Sequence, residues 1–339
     1  MSSEEFWSVL EEGEDYYEEG DFEAALDRFD RALAMSPQSA DAHNSRGNAL
    51  MMLGRYDDAL ASFESSLGLE PGFVKAALNR AELLVDHLGR PEEGQTVCDR
   101  LLKRPLELID AADAYFVKSK AALTLGDLRA ALAMAEKAIG LASDRAEFIA
   151  LRGGILFEQG NYRKALLDLD KAIRLAPEDP DTHYRRGLTL EKLGREGEAR
   201  ECFERAAGID ADHYPLPLEI SPEDFERVAE EALDSLDPPM REFLHNVPVL
   251  VEDFPSRRIV SEDNVSPQIL GLFVGTPHEE KTTLSQATVP DQILLFRKNL
   301  EKVATTREEL LEEIRKTVLH EVWHYLGFKE CDLAELGYE

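Results

Sequence analysis

The first two-thirds of the chain return to one frame. Gly20-Asp-Phe22-Glu-Ala-Ala25, Gly54-Arg-Tyr56-Asp-Asp-Ala59, Gly160-Asn-Tyr162-Arg-Lys-Ala165 and Gly194-Arg-Glu196-Gly-Glu-Ala199 are variants of one pattern, and Gly20 to Gly54 and Gly160 to Gly194 are each 34 residues apart. A period of that length constrains folding strongly. One unit is too small to bury its own apolar face, so neighbours must stack into a continuous core. Three of these starts are followed by small, large and small residues at helical spacing, then proline: Ala25, Phe29, Ala32, Pro37; Ala59, Phe63, Ser66, Pro71; Ala165, Leu169, Ala172, Pro177. Residues three and four apart share one helix face. Small residues there permit close crossing, and the larger one fills the gap between neighbours. Glycine ahead of the block turns the chain at low steric cost, and proline stops the second helix.

These units resemble the tetratricopeptide repeat. Two weaker copies occupy residues 73–104, where Gly89-Arg-Pro91 carries one extra residue, and residues 112–143, with Gly126-Asp-Leu128 and Ala131. The expectation is a mostly α protein: an α-solenoid of about six helix hairpins over residues 1–212. The resemblance implies a curved surface that binds a protein or peptide. Members of the family that bind chaperone tails hold a C-terminal carboxylate with Lys and Asn on their first helices. Here Leu10 and Glu14 stand at the first pair and Ser45 at the second Asn, so such a clamp is not expected. With 68 acidic against 38 basic residues and a net charge of −30, a basic or apolar segment is the expected ligand.

The same charge argues against nucleic acid, whose phosphates require clustered Lys and Arg, and against anionic membrane surfaces. No run approaches the ~20 apolar residues of a membrane span, and Met1-Ser-Ser-Glu-Glu-Phe-Trp lacks the basic and apolar regions of a signal peptide. Three cysteines far apart, Cys98, Cys202 and Cys331, suit reduced thiols in a cytoplasm rather than a disulfide framework.

Residues 213–220 read as a proline-extended linker, and residues 221–339 as a second, small α+β domain. Ser221-Pro-Glu-Asp opens a helix with a serine cap, proline at the first position and acids in the first turn. Phe225, Val228, Ala229, Ala232, Leu233 and Leu236 give it one apolar face, and Asp237-Pro-Pro ends it. Short apolar runs at 247–251, 270–274 and 292–296 read as strands, with Pro248 placing the first at its start or at an edge. The polar stretch from Gly275 to Pro290 reads as a loop containing His278. Thr305-Thr-Arg-Glu308 offers a capping box for a last helix over about 306–326, with Leu311, Ile314, Val318 and Val322 toward the core.

That helix carries His320-Glu-Val-Trp-His324. Two imidazoles four residues apart can both reach one Zn²⁺ at about 2.0–2.1 Å, and Glu321 reaches water at the metal as a general base. Gly327 suits a left-handed helix end that turns Glu330, Cys331 or Asp332 back toward the imidazoles. The spacing H-E-x-x-H-x-x-G-x-x places Glu330 last. With 15 residues after His324, a glutamate from a further helix is not expected.

From about residue 219 onward the chain is similar to the minimal zincin-like metallopeptidases of bacteria. The residues that carry this are Phe225 to Leu236 with Asp237-Pro-Pro, Val249-Leu-Val-Glu-Asp253, Leu270-Gly-Leu-Phe, Pro290-Asp-Gln-Ile-Leu-Leu-Phe-Arg297, Thr317-Val-Leu-His-Glu and Leu333 to Gly337. The resemblance implies His320 and His324 as zinc ligands, Glu321 as catalytic base and a carboxylate third ligand at Glu330, where the family more often has aspartate. Asp332 is the alternative ligand. Trp323 stands where a small residue is common. Tyr325 and Tyr338 are candidate oxyanion donors, while His245 and His278 receive no role. Two functions follow: a zinc metallopeptidase whose array recruits its protein substrate, or an interaction scaffold carrying a zinc-binding domain of little or no activity.

Overall fold

The six turn glycines all adopt left-handed backbone. In this computed structural model, which describes residues 3–244, 247–262, 265–276 and 290–328, φ lies between 61° and 84° at Gly20, Gly54, Gly89, Gly126, Gly160 and Gly194. The helices they punctuate are α1 (Ser3–Glu18) and α2 (Phe22–Met35), α3 (Ala40–Met52) and α4 (Tyr56–Leu69), and α5 (Val74–Asp86) and α6 (Pro91–Leu101). There follow α7 (Leu108–Thr124) and α8 (Leu128–Leu141), α9 (Ala146–Glu158) and α10 (Tyr162–Leu175), and α11 (Pro180–Lys192) and α12 (Glu196–Ile209). The expected solenoid of helix pairs is therefore present, weak copies included.

Five turns close alike, the N–H after glycine donating to the carbonyl five residues back, as from Asp21 to Tyr16 and from Arg55 to Leu50, each at 2.9 Å. This bond satisfies a carbonyl that the helix end leaves open. At Gly89 the donor is Arg90 and the acceptor Leu84, six residues back, at 2.8 Å. The extra residue of the third copy is thus absorbed inside the turn, and the helix pair is preserved.

The chain divides into two compact units, Met1–Ile155 and Leu156–Glu339. In the first, the aromatics at the helix crossings need a partner that the repeat pattern did not single out. Phe29 and Phe63 are fully buried, each against a glycine on the preceding helix. A Cβ at Gly13 would stand 2.5 Å from Phe29 Cε1, and one at Gly47 2.5 Å from Phe63 Cε1. The second unit repeats the device with Gly187 and Phe203, at 2.6 Å.

The second unit continues from α10–α12 into extended residues held by Glu301: Leu218 N–H donates to the Glu301 carbonyl at 2.9 Å, and Ile220 N–H to its side chain at 3.2 Å. Helix α13 (Pro222–Asp234) begins as expected, with Ser221 Oγ accepting from Asp224 N–H. The helix stops at Asp234 with Ser235 as its cap, short of the expected Asp237-Pro-Pro, which instead starts α14 (Pro238–Leu244), since proline is pre-shaped for a first helical position. The first strand begins two residues later than expected. Pro248 precedes β1 (Val249–Glu252) and contributes its carbonyl to Ile293 N–H at 2.9 Å. A short helix, α15 (Arg257–Glu262), lies before β2 (Gly271–Val274) and β3 (Gln292–Phe296).

The sheet order is β1-β3-β2, with β1 parallel and β2 antiparallel to β3. Central β3 buries Ile293 to Phe296. After α16 (Arg297–Leu300), helix α17 (Arg307–Leu326) crosses the sheet. Its capping box is one residue further on than the sequence suggested, Thr306 with Glu309. Leu310, rather than the half-buried Leu311, joins Ile314, Val318 and Val322 in the core with Phe225 and Val228 of α13.

Two glycines test the crossing rule. Gly47→Ala should destabilise unit 1 by about 1–3 kcal/mol through overpacking on Phe63. Gly68→Ala, on the exposed face of α4 with nothing within 4 Å of its Cβ, should stabilise by about 0.5–1 kcal/mol. Urea unfolding of the two variants measures both signs.

Candidate metal centre and repeat groove

Four-residue spacing puts His320 and His324 one turn apart on α17, their Nε2 atoms facing each other at 2.9 Å. Two nitrogens bound to one tetrahedral zinc at ~2.0–2.1 Å stand about 3.4 Å apart, so a small rotation of either ring admits the ion. The pair therefore fits a zinc site. Gly327 is left-handed, with φ 103°, and its turn is closed by Phe328 N–H on the Trp323 carbonyl at 3.1 Å. The left-handed helix end expected there is present, and the residues it was expected to turn back, Glu330, Cys331 and Asp332, lie outside the described residues. The turn brings the Phe328 carbonyl to 3.1 Å from His324 Nδ1. With Nδ1–H donating to that oxygen, Nε2 presents its lone pair.

Glu321 sits between helix and sheet, 7% exposed. Its Oε2 accepts the backbone N–H of Phe273 at 2.6 Å. That donor exists because β2 is an edge strand. Leu270 O accepts from Phe296 N–H of the β3 side, and alternation in an antiparallel ladder then turns the groups of Gly271 and Phe273 outward. The close approach requires Gly271, because a Cβ there would stand 2.8 Å from Glu321 Cγ and 2.9 Å from Thr317 Cγ2. One wall of the resulting cleft is formed by Val265, Ile269, Leu270, Gly271 and Leu272. The other is formed by Glu313, Lys316, Thr317, His320, Glu321 and His324, around about 400 Å³.

The structure thus brings His320, Glu321 and His324 to one cleft. Glu330, Asp332, Cys331, Tyr338, His245 and His278 lie outside the described residues, and among those described no further His, Cys, Asp or Glu completes a group of three. Tyr325 is corrected: it is buried, and its hydroxyl donates to the Phe243 carbonyl at 3.1 Å, a core bond rather than an oxyanion donor. Trp323 packs edge-on against Phe328, with ring centres 5.2 Å apart. The sequence reading did not reach Gly271 or the Phe273 N–H, although a glycine inside the Leu270-Gly-Leu-Phe strand signals a close approach.

In unit 1 the first helices of successive hairpins line a groove of about 820 Å³. Six carboxylates (Glu14, Glu18, Glu82, Asp110, Asp113, Glu147) face three cations (Lys75, Lys120, Arg145). Lys120 is ion-paired to Glu82 and Asp86, and Arg145 to Asp113 and Glu147. Burial, then Asp41, Glu11 and Glu18, pushes the Glu14 carboxyl up, and burial raises Asp113. Asn79 Nδ2 donates to Asn44 Oδ1 at 3.0 Å and to Asn48 Oδ1 at 2.8 Å, which builds an amide ladder across α3 and α5. Leu10 is buried and Ser45 lines the groove beside Glu14. No helix among the described residues is long and apolar enough to cross a membrane.

Comparison with known proteins follows the same division. A family model described as "Zincin-like metallopeptidase" matches residues 244–338. Models described as "Tetratricopeptide repeat" match residues 10–72, 47–105, 112–145 and 180–213, and "TPR repeat" matches 153–194. Human DnaJ homolog subfamily C member 3 is 27% identical over 220 residues, 60% of this chain and 43% of its own length; mouse DnaJ homolog subfamily C member 7 is 26% identical over 219 residues, 61% and 43%. The chain therefore spans less than half the length of these curated relatives. Among solved structures, PilW, a type IV pilus biogenesis factor, has a TM-score of 0.54 at 18% identity, covering 61% of this chain and 94% of its own. The APC/C hetero-tetramer Cut9-Hcn1 has a TM-score of 0.56 at 16% identity, covering 61% and 40%. These likenesses establish the solenoid fold. The chain carries tetratricopeptide repeats across residues 10–213 and a zincin-like metallopeptidase domain at residues 244–338.

Proposed function

We propose that the chain is a zinc-dependent metallopeptidase, with its peptidase domain opening at Ser221 and its repeat array recruiting a protein or peptide substrate. The supporting observation is the convergence of His320 and His324 Nε2, 2.9 Å apart, on a cleft whose wall contains Glu321. Glu330 is the proposed third ligand and Asp332 the alternative. Bound zinc supplies Lewis-acid polarisation of a peptide carbonyl and acidifies water. In the tautomer whose Nδ1–H donates to the Phe328 carbonyl, His324 presents its Nε2 lone pair to a metal. Glu321 takes the proton of the attacking water and passes it to the leaving amine. Its bond to Phe273 N–H fixes the carboxylate in the cleft. The buried thiols Cys98 and Cys202 are unpaired with each other, which suits the reducing cytoplasm proposed as its compartment.

In this reading the array takes an extended segment carrying Lys or Arg. Excess carboxylates attract the cations, and the Asn44–Asn79–Asn48 ladder meets backbone amides. A substrate held at a second, linked site has a raised local concentration at the cleft. One observation favours the second reading, a scaffold whose zincin-like domain is weakly active. Glu321 is buried and its Oε2 is bonded to a strand N–H, and a base so held must rearrange to share that oxygen with water.

Metal content and cleavage of a basic-peptide library separate the two. The peptidase reading expects zinc in both wild type and Glu321→Gln, with cleavage about 10²–10⁴-fold slower in the variant. Zinc in both with cleavage by neither favours the scaffold, and zinc in neither sinks the site. Gly271→Ala should retain metal yet lower turnover, because the added methyl pushes Glu321 from its place. Glu14→Gln combined with Glu18→Gln should weaken basic-peptide binding about fivefold, on the scale of exposed ion pairs, and flatten its salt dependence; fluorescence titration reads both.

A further inference from the structure

The cleft wall formed by residues 265–270 is held by residues of the last two repeat hairpins and of α16. Glu158, at the end of α9, accepts Ser266 Oγ–H at 2.8 Å and Gln268 Nε2–H at 3.2 Å. Lys192, at the end of α11, donates to the Pro267 carbonyl at 2.7 Å. Asn299 of α16 donates to the same carbonyl at 3.0 Å and to that of Ile269 at 2.7 Å, while its own oxygen receives Lys192 Nζ at 3.3 Å. The ammonium also lies 3.8 Å from the centre of the Phe254 ring. Every one of these residues lies in the unit Leu156–Glu339.

A lysine is an expensive way to fill such a space. Burial, with Lys302 next, pushes the Lys192 amine down to about 7, so the charged form is disfavoured where it sits. A hydrophobic residue would pack there without that penalty. What only a long-armed donor provides is a hydrogen bond to a carbonyl in the turn leading into β2. That turn runs directly into Gly271 and Phe273, whose approach positions Glu321.

We propose that Lys192 and Glu158, from the last repeat hairpins, are positioning residues for the His320–Glu321–His324 site, fixing the 265–270 wall and through it the edge strand that holds Glu321. The inference rests on the peptidase reading for its consequence in catalysis but not for the mechanical link. It makes the end of the array a working part of the cleft rather than a tether.

The test uses the full chain: wild type, Lys192→Met, Lys192→Arg and Ser266→Ala, the last removing the bond to Glu158 together with the one that Ser266 Oγ accepts from Gln268 N–H. Amide hydrogen exchange is followed, with the Phe273 amide as reporter, together with zinc content and kcat and KM on a cleaved peptide. Lys192→Met should speed exchange at 265–274 at least tenfold, with α13 and α17 still protected, zinc retained and the loss in kcat larger than in KM. Ser266→Ala should give a smaller change in the same residues, and Lys192→Arg should restore most of the protection. Unchanged exchange at 265–274 in both Lys192→Met and Ser266→Ala overturns the proposal. So does faster exchange spread evenly through the unit, since that is lost stability without a positioned wall. If the wall loosens as expected while wild type cleaves nothing, the mechanical link stands and the peptidase reading fails.

Discussion

Helix α17 meets the edge of the sheet at Gly271 with no side chain between them, and the site depends on that contact. A strand edge carries outward N–H groups that water or a partner must satisfy. Here one of them, Phe273 N–H, is satisfied by Glu321. A buried carboxylate is costly unless it is hydrogen-bonded. The strand needs an acceptor and the glutamate needs a donor, so one bond answers both. Because Val318 and Val322 on the same helix are in the core, the helix cannot rotate to avoid the contact, and His320 and His324 are aimed by the same packing.

The surrounding unit uses charge in places where small domains ordinarily use hydrocarbon. Glu301, whose side chain is 2% exposed, receives Arg297 at 3.0 Å and Lys298 at 2.9 Å and also caps Ile220 N–H. Glu191 pairs with Lys302 at 2.8 Å. Burial pushes the Glu191 carboxyl up and the Lys302 amine down. Both shifts reflect the penalty for desolvating a charge, which the pairing offsets in part. Such networks add little net stability over apolar packing, but their bonds are directional. They fix the register of α11 against α16 and the 265–270 segment in a way that a greasy contact would not.

Much of this was legible in the chain. The turn glycines, including those of the weak copies, mark all six hairpins, because a left-handed residue leaves a direct trace in amino-acid type. The histidine spacing and the left-handed helix end at Gly327 are local in the same sense. The capping box lay one residue away because Thr305 and Thr306 offer the same chemistry to Glu308 and Glu309, and only the helix start chooses. Helix α15 was hidden in a short, polar stretch. The partners of the site were hidden for another reason. Phe273 donates through its backbone, which has no identity in a sequence, and Lys192 reaches Pro267 across 75 residues. Neither has a period or spacing to betray it.

The groove of unit 1 carries its own constraint. Six carboxylates on one concave face repel one another, and Lys120 and Arg145 are already engaged with acids of that face. The Glu14 carboxyl is pushed up first by burial and then by Asp41, Glu11 and Glu18, of which Glu18 shares the groove. A surface so arranged is destabilised by its own field until a cation enters. A basic segment bound there gains its own contacts and also relieves the strain among acids that remain in place, so that binding and stability are linked. An uncharged apolar segment would desolvate the same carboxylates without that relief. The electrostatics of the groove are thus the ground on which a basic rather than an apolar segment is proposed as its ligand.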